Sequence, residues 1–592
     1  MIAIDTRRFA PRLACCAGRP IVTVQSGIQF FLFVAVVLLL VRPVGSYLVR
    51  VFGDGSTLLD PVLVPLERRV YRLAGVDPAE DMSARAYTVA FLLFSLAGTV
   101  ILYAVLRLQQ FCPWYDKSVL TTPMTPDLAM NTAISFSTTS TWQAYGGEST
   151  MSYWTQIVGL AGQNFLAGAS GMAIGIAFIR GLAGRETRNL GNFWRDLVRS
   201  ILWVLLPTSV VGSLILVWQG VPMNFLPYIH ATTLEGQGQI IAQGPVAALE
   251  FIKNLGTNGG GFFNVNGAHP FENPTALTNF LEMLAIAVLP ASLTYTFGVM
   301  VGNPRQGWML LAVMTFLFVA GYIACVVPEQ HGNRQFGAAV NASTAGQSGG
   351  NMEGKEVRFG IGGSVLTTVV ASNGATGSTN SMLDSYMPLS GMIPIVNMLL
   401  GEIVYGGLGT GIYSIVIVAL IALFVAGLMV GRTPEYLGKQ IGASDMKLVM
   451  LYTLASPLAI LLPTAAALTC SQGLAGPSNT GPHGLSEILT AYTSSFANNG
   501  ESFGGLNADT PFYNISTAFA MVAGRFFLAI PALALAGRFA SKKQRTSTLG
   551  TLRTDSLQFA VLLTFTAIVV VGLGFFPALA LGPIVEHLLM AH

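Results

Sequence analysis

Between two apolar stretches that are each long enough to cross a membrane, the chain reads Leu255-Gly256-Thr257-Asn258-Gly259-Gly260-Gly261-Phe262. Backbone without helical pairing survives at bilayer depth only where protein buries it or where it lines a watery cavity. The rest of the chain therefore has to be folded around this turn. Three more turns of the same kind occur: Thr139-Ser140-Thr141-Trp142, Ser372-Asn373-Gly374-Ala375 and Asn498-Asn499-Gly500-Glu501. With Ser140, Asn258, Asn373 and Asn499 as markers, the steps are 118, 115 and 126 residues, a near-constant period that signals a repeated unit. The second and fourth units share more than spacing. Counted from Asn258 and Asn499, both have Gly next, Phe four on (Phe262, Phe503) and Asn eight on (Asn266, Asn507). Pro270-Phe271-Glu272-Asn273 then matches Pro511-Phe512-Tyr513-Asn514. The first and third units share the layout more than the letters, which fixes their register only to within about a residue of this alignment.

Composition sets the solvent. With 52% hydrophobic and 10% charged residues and a mean hydropathy of +0.60, the 592-residue chain belongs among polytopic membrane proteins. A net charge of +3 gives no reason to expect nucleic acid. Cys15, Cys16, Cys112, Cys325 and Cys470 make neither a disulfide framework nor metal-ligand spacing. The six histidines are scattered, and no metal site is read from them.

The sequence places ten spans at about 21–41, 86–106, 152–179, 198–218, 277–302, 307–327, 391–430, 448–468, 513–537 and 556–580. Segments too short to span lead into each polar turn: Pro126 to Phe136, Pro245 to Leu255, Ser364 to Ala371 and Leu485 to Phe496. Proline at or before the start of two of them is a helix-start signal, so they read as re-entrant half-helices. The fold expected is an all-α membrane protein of about ten transmembrane helices. Four helix/pore-loop/helix repeats surround a pseudo-fourfold pore, with one extra helix at each end. The division runs 1–20 (an arm with Arg7, Arg8, Arg12 and Arg19), 21–85 (first helix and loop), repeats at 86–197, 198–306, 307–446 and 447–555, and a last helix in 556–592. Basic residues favour the cytoplasmic side. One set of alternate connections holds 20 of the 31 lysines and arginines, which puts the turns on the other, extracytoplasmic side.

Four half-helices converging from one face aim their partly negative C-termini at the membrane centre and leave unpaired carbonyls in the turns after them. Such a ring suits a dehydrated cation, because potassium filters replace the hydration shell with backbone oxygens. An isolated Gly-Asn turn is ordinary loop chemistry. Four at one period, each bounded by spans, are not.

These residues resemble the potassium-binding A subunits of the Kdp system, an ATP-driven bacterial potassium importer. The resemblance runs from about Gly27 onward. It rests on Thr257-Asn258-Gly259-Gly260-Gly261, Asn498-Asn499-Gly500, Trp142-Gln143 and Gly401-Glu402-Ile403-Val404-Tyr405-Gly406-Gly407. It implies a filter formed by Thr139, Ser140, Thr141, Thr257, Asn258, Gly259, Ser372, Asn373, Gly374, Asn498, Asn499 and Gly500, with K+ as substrate and no cofactor. It also implies a bacterial inner-membrane location and an intramembrane tunnel to a P-type ATPase subunit, with a small single-span subunit and an accessory subunit alongside. Where the family tends to show asparagine, Ser140 stands between two threonines, a departure that bears on discrimination against rubidium or ammonium. A self-sufficient potassium channel or cation symporter of the same superfamily is the alternative.

No Gly-x-x-x-x-Gly-Lys-Ser/Thr loop and no Asp-Lys-Thr-Gly motif occurs, so energy is expected from a partner and the chain is read as non-catalytic. Arg525 lies deep in a span, where a charge is costly enough to imply a role. It is read as a positive barrier below the filter, compatible with an ion pair to Glu402. The long span 391–430 is interrupted at Gly406, Gly407 and Gly409, and broken helices of this kind mark gates or sites. Glu148, Glu272, Asp384, Glu501 and Asp509 follow the turns and are read either as an acidic vestibule or as solvated loop charges. Lys253 is read as an outer-face charge.

Overall fold

The computed structural model describes residues 23–184, 186–333, 335–336, 349–431, 433–544 and 552–591. The arm 1–20, with its four arginines and the Cys15-Cys16 pair, lies outside them. Among the described residues ten helices are long and apolar enough to cross a membrane. They are Val24–Phe52, Ala84–Phe111, Thr155–Ala183, Phe193–Trp218, Ala276–Met300, Pro304–His331, Thr410–Val430, Ala443–Thr469, Pro511–Ala540 and Leu557–Met590. The protein is thus the helical, ten-span membrane fold that the hydropathy pattern implies.

Four short helices dip between spans: pore helix 1 (Pro126–Ser137), pore helix 2 (Val246–Leu255), pore helix 3 (Gly360–Asn373) and pore helix 4 (Gly481–Phe496). Thr125 caps the first by accepting from the Leu128 amide, and Pro126 occupies the first turn, where a missing N–H costs nothing. Nearly every side chain from Ser486 to Phe496, and from Ile361 to Asn373, is buried, because other helices enclose them on all sides.

The spans differ accordingly. Thr155–Ala183 and Ala276–Met300 are 83% and 72% buried over their apolar windows, whereas Val24–Phe52 and Ala84–Phe111 are each 22% buried. The first pair lies against the centre and the second pair forms the rim.

The sequence pattern at 391–430 is not one span. Pro388–Leu399 and Thr410–Val430 are separate helices, and the ten residues between them leave helical geometry. Positive φ at Gly401, Glu402, Tyr405 and Gly409 (74°, 59°, 48° and 90°) rules out a continuous ladder. The broken segment packs against Thr155–Ala183 at glycine. A Cβ on Gly175 would lie 2.6 Å from Gly409 Cα, and one on Gly171 2.5 Å from the Leu408 carbonyl oxygen. Only small residues allow backbones that close.

On the membrane face opposite the pore-helix entrances, Arg180 pairs with Asp196 at 2.6 Å and Arg199 with Glu67 at 2.9 Å. Tyr87 adds its hydroxyl to Asp196 at 3.0 Å, so these charges sit in a hydrogen-bonded cluster.

Candidate functional site

Two residues past the end of each pore helix stands a residue with positive φ: Thr139 (66°), Thr257 (50°), Ala375 (50°) and Asn498 (51°). For residues other than glycine this conformation is uncommon, and its recurrence at four matching places marks a shared backbone path. The amides behind these turns bond backward into their own helices. Asn258 N donates to Lys253 O at 2.9 Å, Thr376 N to Ala371 O at 3.1 Å and Asn499 N to Ser494 O at 3.0 Å, each five residues back. The amides are thereby satisfied away from the centre.

The four turns close on one another in chain order. A Cβ on Gly259 would lie 2.1 Å from Gly377 N, one on Gly377 2.5 Å from Gly500 C, and one on Gly500 2.0 Å from Ser140 O. Thr141 completes the circuit by donating its hydroxyl to the Asn258 carbonyl. Gln143 adds a clamp between the first two turns, donating to Gly261 O at 3.0 Å and accepting from Gly261 N at 2.8 Å. Glycine is required at these contacts because backbone meets backbone with no room for a side chain.

The third turn differs from the sequence alignment. Ser372 and Asn373 belong to pore helix 3, where their side chains donate to Thr368 O and Val369 O, and Gly374 is that helix's C-terminal cap. The residues matching Thr257-Asn258-Gly259 are Ala375-Thr376-Gly377, three positions later. The Asn-Gly pair resembled the other turns by letter but ends the helix. Measured from Thr376, the steps become 118, 118 and 123, more regular than those from Asn373.

A cavity of about 730 Å³ opens on one side of the ring, lined by Thr141, Gly260, Gly377 and Gly500, one residue from each turn. A much smaller cavity lies on the other side, lined by Thr139, Thr257 and Ala375 together with Glu402, Gly407 and Arg525. The ring thus separates a wide mouth from a narrow chamber. The broken segment is fastened to the chamber, since Leu408 N donates to Thr257 Oγ1 at 2.8 Å.

Arg525 reaches this chamber and donates to Thr139 Oγ1 at 3.1 Å, to Ser170 Oγ at 3.1 Å and to Ala167 O at 3.3 Å. No ion pair within 4.0 Å joins it to Glu402, although the two residues line the same small space.

The acidic residues after the turns do not form a shared vestibule. Asp509 lines the mouth, but Glu272 and Glu501 are fully buried. Glu272 accepts from Phe263 N at 2.7 Å and pairs with Lys253 at 2.6 Å, and Lys253 also pairs with Glu250 at 2.7 Å. Lys253 is therefore not an outer-face charge. It is wholly buried and bolts pore helix 2 to the returning chain. Both carboxyl oxygens of Glu501 lack a hydrogen-bond donor among the described residues. Glu148 accepts from Asn264 N at 2.9 Å, and burial raises its pKa despite that bond.

Asp384 sits beside His483, with His483 Nε2 2.7 Å from Asp384 Oδ1 and Nδ1 2.7 Å from Glu586 Oε1. Burial pulls the imidazole pKa down, but the two carboxylates outweigh it and push it up to about 10.

Comparison with known proteins adds an independent line. Residues 31–588 match the family model of the potassium-transporting ATPase A subunit. The chain is 52% identical over 565 residues to the potassium-transporting ATPase potassium-binding subunit of Methylorubrum extorquens, covering 95% of this chain and 98% of that one. It is 51% identical over 570 residues to the same subunit of Mesorhizobium japonicum, covering 96% and 99%. Among solved structures it resembles the potassium transporter TrkH from Vibrio parahaemolyticus, at a TM-score of 0.50 and 10% identity over 86% of this chain and 97% of that one. That last likeness concerns the fold alone. With the family model spanning nearly the whole length and half of all aligned positions identical to those of its relatives, the chain belongs to the family of potassium-binding A subunits of potassium-transporting ATPases.

Proposed function

We propose that this chain selects K+ from outside the bacterial inner membrane and hands it sideways, within the membrane, to a partner P-type ATPase subunit. The observation that carries the proposal is the closed ring of four unlike turns between a wide mouth and a narrow chamber. A ring of backbone oxygens can replace the hydration shell of a cation that enters from the mouth. In this reading the filter comprises Thr139-Ser140-Thr141, Thr257-Asn258-Gly259, Ala375-Thr376-Gly377 and Asn498-Asn499-Gly500. Arg525, facing the chamber below, opposes straight passage. The surplus of basic residues in the opposite connections supports a mouth on the extracytoplasmic side.

A lateral exit is supported by a further, largely apolar cavity of about 530 Å³. It shares Glu402 and Thr410 with the chamber and extends between the spans Thr410–Val430, Ala443–Thr469 and Leu557–Met590 to Phe575. Two of these spans, Ala443–Thr469 and Leu557–Met590, are each only 28% buried, as a surface left for lipid or partner subunits would be. The names of the relatives imply an ATPase partner, and the family resemblance adds a small single-span subunit and an accessory subunit.

The deciding experiment is recovery of the complex from native membrane, followed by K+-stimulated ATP hydrolysis with and without this polypeptide. Dependence on the chain supports the proposal. Selective K+ flux through this chain alone in liposomes, with no ATPase recovered, would replace it by an autonomous channel or symporter.

A further inference from the structure

Among the described residues, Asp384, His483 and Glu487 bring one ligand atom each to within 4.8 Å of one another. They come from separate parts of the fold. Asp384 lies in the turn Leu383–Ser385 after the third filter loop, while His483 and Glu487 sit one helical turn apart near the start of pore helix 4. An i,i+4 pair projects from one helix face, so both side chains point to the same space.

The imidazole is held in a particular way. Its Nδ1 is 2.7 Å from Glu586 Oε1, and its Nε2 is 2.7 Å from Asp384 Oδ1. A protonated ring donates to both carboxylates, and a cation bound at Nε2 would take the place of the proton there while Nδ1–H keeps its bond to Glu586. A carboxylate behind one ring nitrogen while the other nitrogen ligates is the arrangement that orients metal-binding histidines, and Glu586 stands in that position behind Nδ1. The charge balance points the same way. Three carboxylates surround one imidazole, and among the described residues no lysine or arginine pairs with any of them within 4.0 Å. A proton on the ring leaves two negative charges uncompensated; a divalent cation with a neutral ring leaves one. The site is also reachable, since Asp384, His483 and Glu586 have side chains 18%, 19% and 19% exposed.

We propose that Asp384, His483 and Glu487 form a binding site for a divalent cation of the zinc class, with Glu586 as the orienting carboxylate. One nitrogen with carboxylate oxygens suits zinc, whereas calcium and magnesium prefer all-oxygen sets. The site joins the third filter loop, pore helix 4 and the C-terminal helix. Asp384 N further donates to Phe503 O at 2.7 Å, which ties it to the fourth loop as well. A bound ion therefore cross-links the mouth of the ring from outside the conduction path. This inference concerns binding and stands whether or not the chain delivers K+ to an ATPase.

The test uses the untagged full-length chain in its detergent-solubilised complex, stripped with chelator and dialysed against ZnCl2 or CaCl2. Metal content is measured by mass spectrometry, and coordination by X-ray absorption at the zinc edge. The expected result is one zinc per chain with an imidazole nitrogen and carboxylate oxygens at about 2.0–2.2 Å. His483→Gln and Asp384→Asn should lose that zinc, and Glu586→Gln should bind it about 10–100-fold more weakly. Thermal unfolding without metal checks that each variant is folded. If one is not, the wild-type spectrum decides alone. No retained zinc, a spectrum lacking the imidazole nitrogen, or equal zinc in wild type and folded variants would overturn the site.

Discussion

Lys253 Nζ lies 2.6 Å from Glu272 Oε2, with both side chains wholly inside the protein. The same ammonium group meets Glu250 at 2.7 Å, and Glu272 holds the amide of Phe263. The turn after pore helix 2 is thus strung between two ends of one ion cluster. Removing one member of a buried pair strands the other, at a cost of about 3–5 kcal/mol. Lys253→Met, which strands two carboxylates, should lower the thermal unfolding midpoint more than Glu272→Gln, whose amide oxygen still accepts from Phe263. Equal midpoints for both variants and wild type would show that the cluster does not brace the turn.

Arg525 faces the chamber without a carboxylate partner within 4.0 Å among the described residues, so its charge acts on whatever enters. A unit charge a few ångströms from an ion is worth about 3–4 kcal/mol at an effective dielectric near 20. Arg525→Gln should leave apparent K+ affinity nearly unchanged and raise passive K+ leak by roughly several hundredfold, read in proteoliposomes without ATP. An unchanged leak removes the barrier role.

Gly377 and Gly374 make different demands. A methyl on Gly377 would press into the Gly500 backbone, whereas one on Gly374 would meet Ile286 Cγ2 at 2.4 Å first. Gly377→Ala should abolish K+-dependent stabilisation of the purified protein in thermal unfolding. Gly374→Ala should lower the midpoint in the absence of K+ while keeping the shift that K+ produces. The reverse pattern would return the third turn to Asn373-Gly374.

His269 stacks on Phe263 at 3.7 Å and accepts from Phe271 N at 3.1 Å through Nδ1. Burial holds its pKa below the usual 6.5, with Arg358 pushing the same way against Glu272 and Glu356. Because the folded value is depressed, its contribution to stability is present above pH 6.5 and is lost as pH falls through the lower, folded value. The thermal midpoint should fall on the acid side of pH 6.5, and His269→Asn, which keeps an acceptor for Phe271, should flatten the curve in that window. Parallel curves would assign the titration elsewhere.

The ten spans and four pore helices were legible in the sequence because hydropathy and length decide them. Three of the four turns could be placed because a short polar or glycine-rich motif follows each short helix at a near-constant period. The third was misread because Ser372-Asn373-Gly374 mimics the motif in letters, while Ala375 takes the positive φ that the letters assign to no one. The ion cluster was half visible: Glu250 and Lys253 are three residues apart on one helix, but Glu272 arrives through the return chain. Likewise His483 and Glu487 share a helix face, and nothing local announces Asp384 or Glu586 beside them.

Since one polypeptide supplies all four walls of the ring, each wall has its own codons. A substitution alters a quarter of the ring and leaves three quarters as they were, whereas a symmetric tetramer must change every wall together. Hydroxyl-bearing Thr139-Ser140-Thr141 faces amide-bearing Asn498-Asn499 across a shared edge, and the third wall has neither at its first position. The shape of such a ring can be adjusted in small, unequal increments, one quadrant at a time.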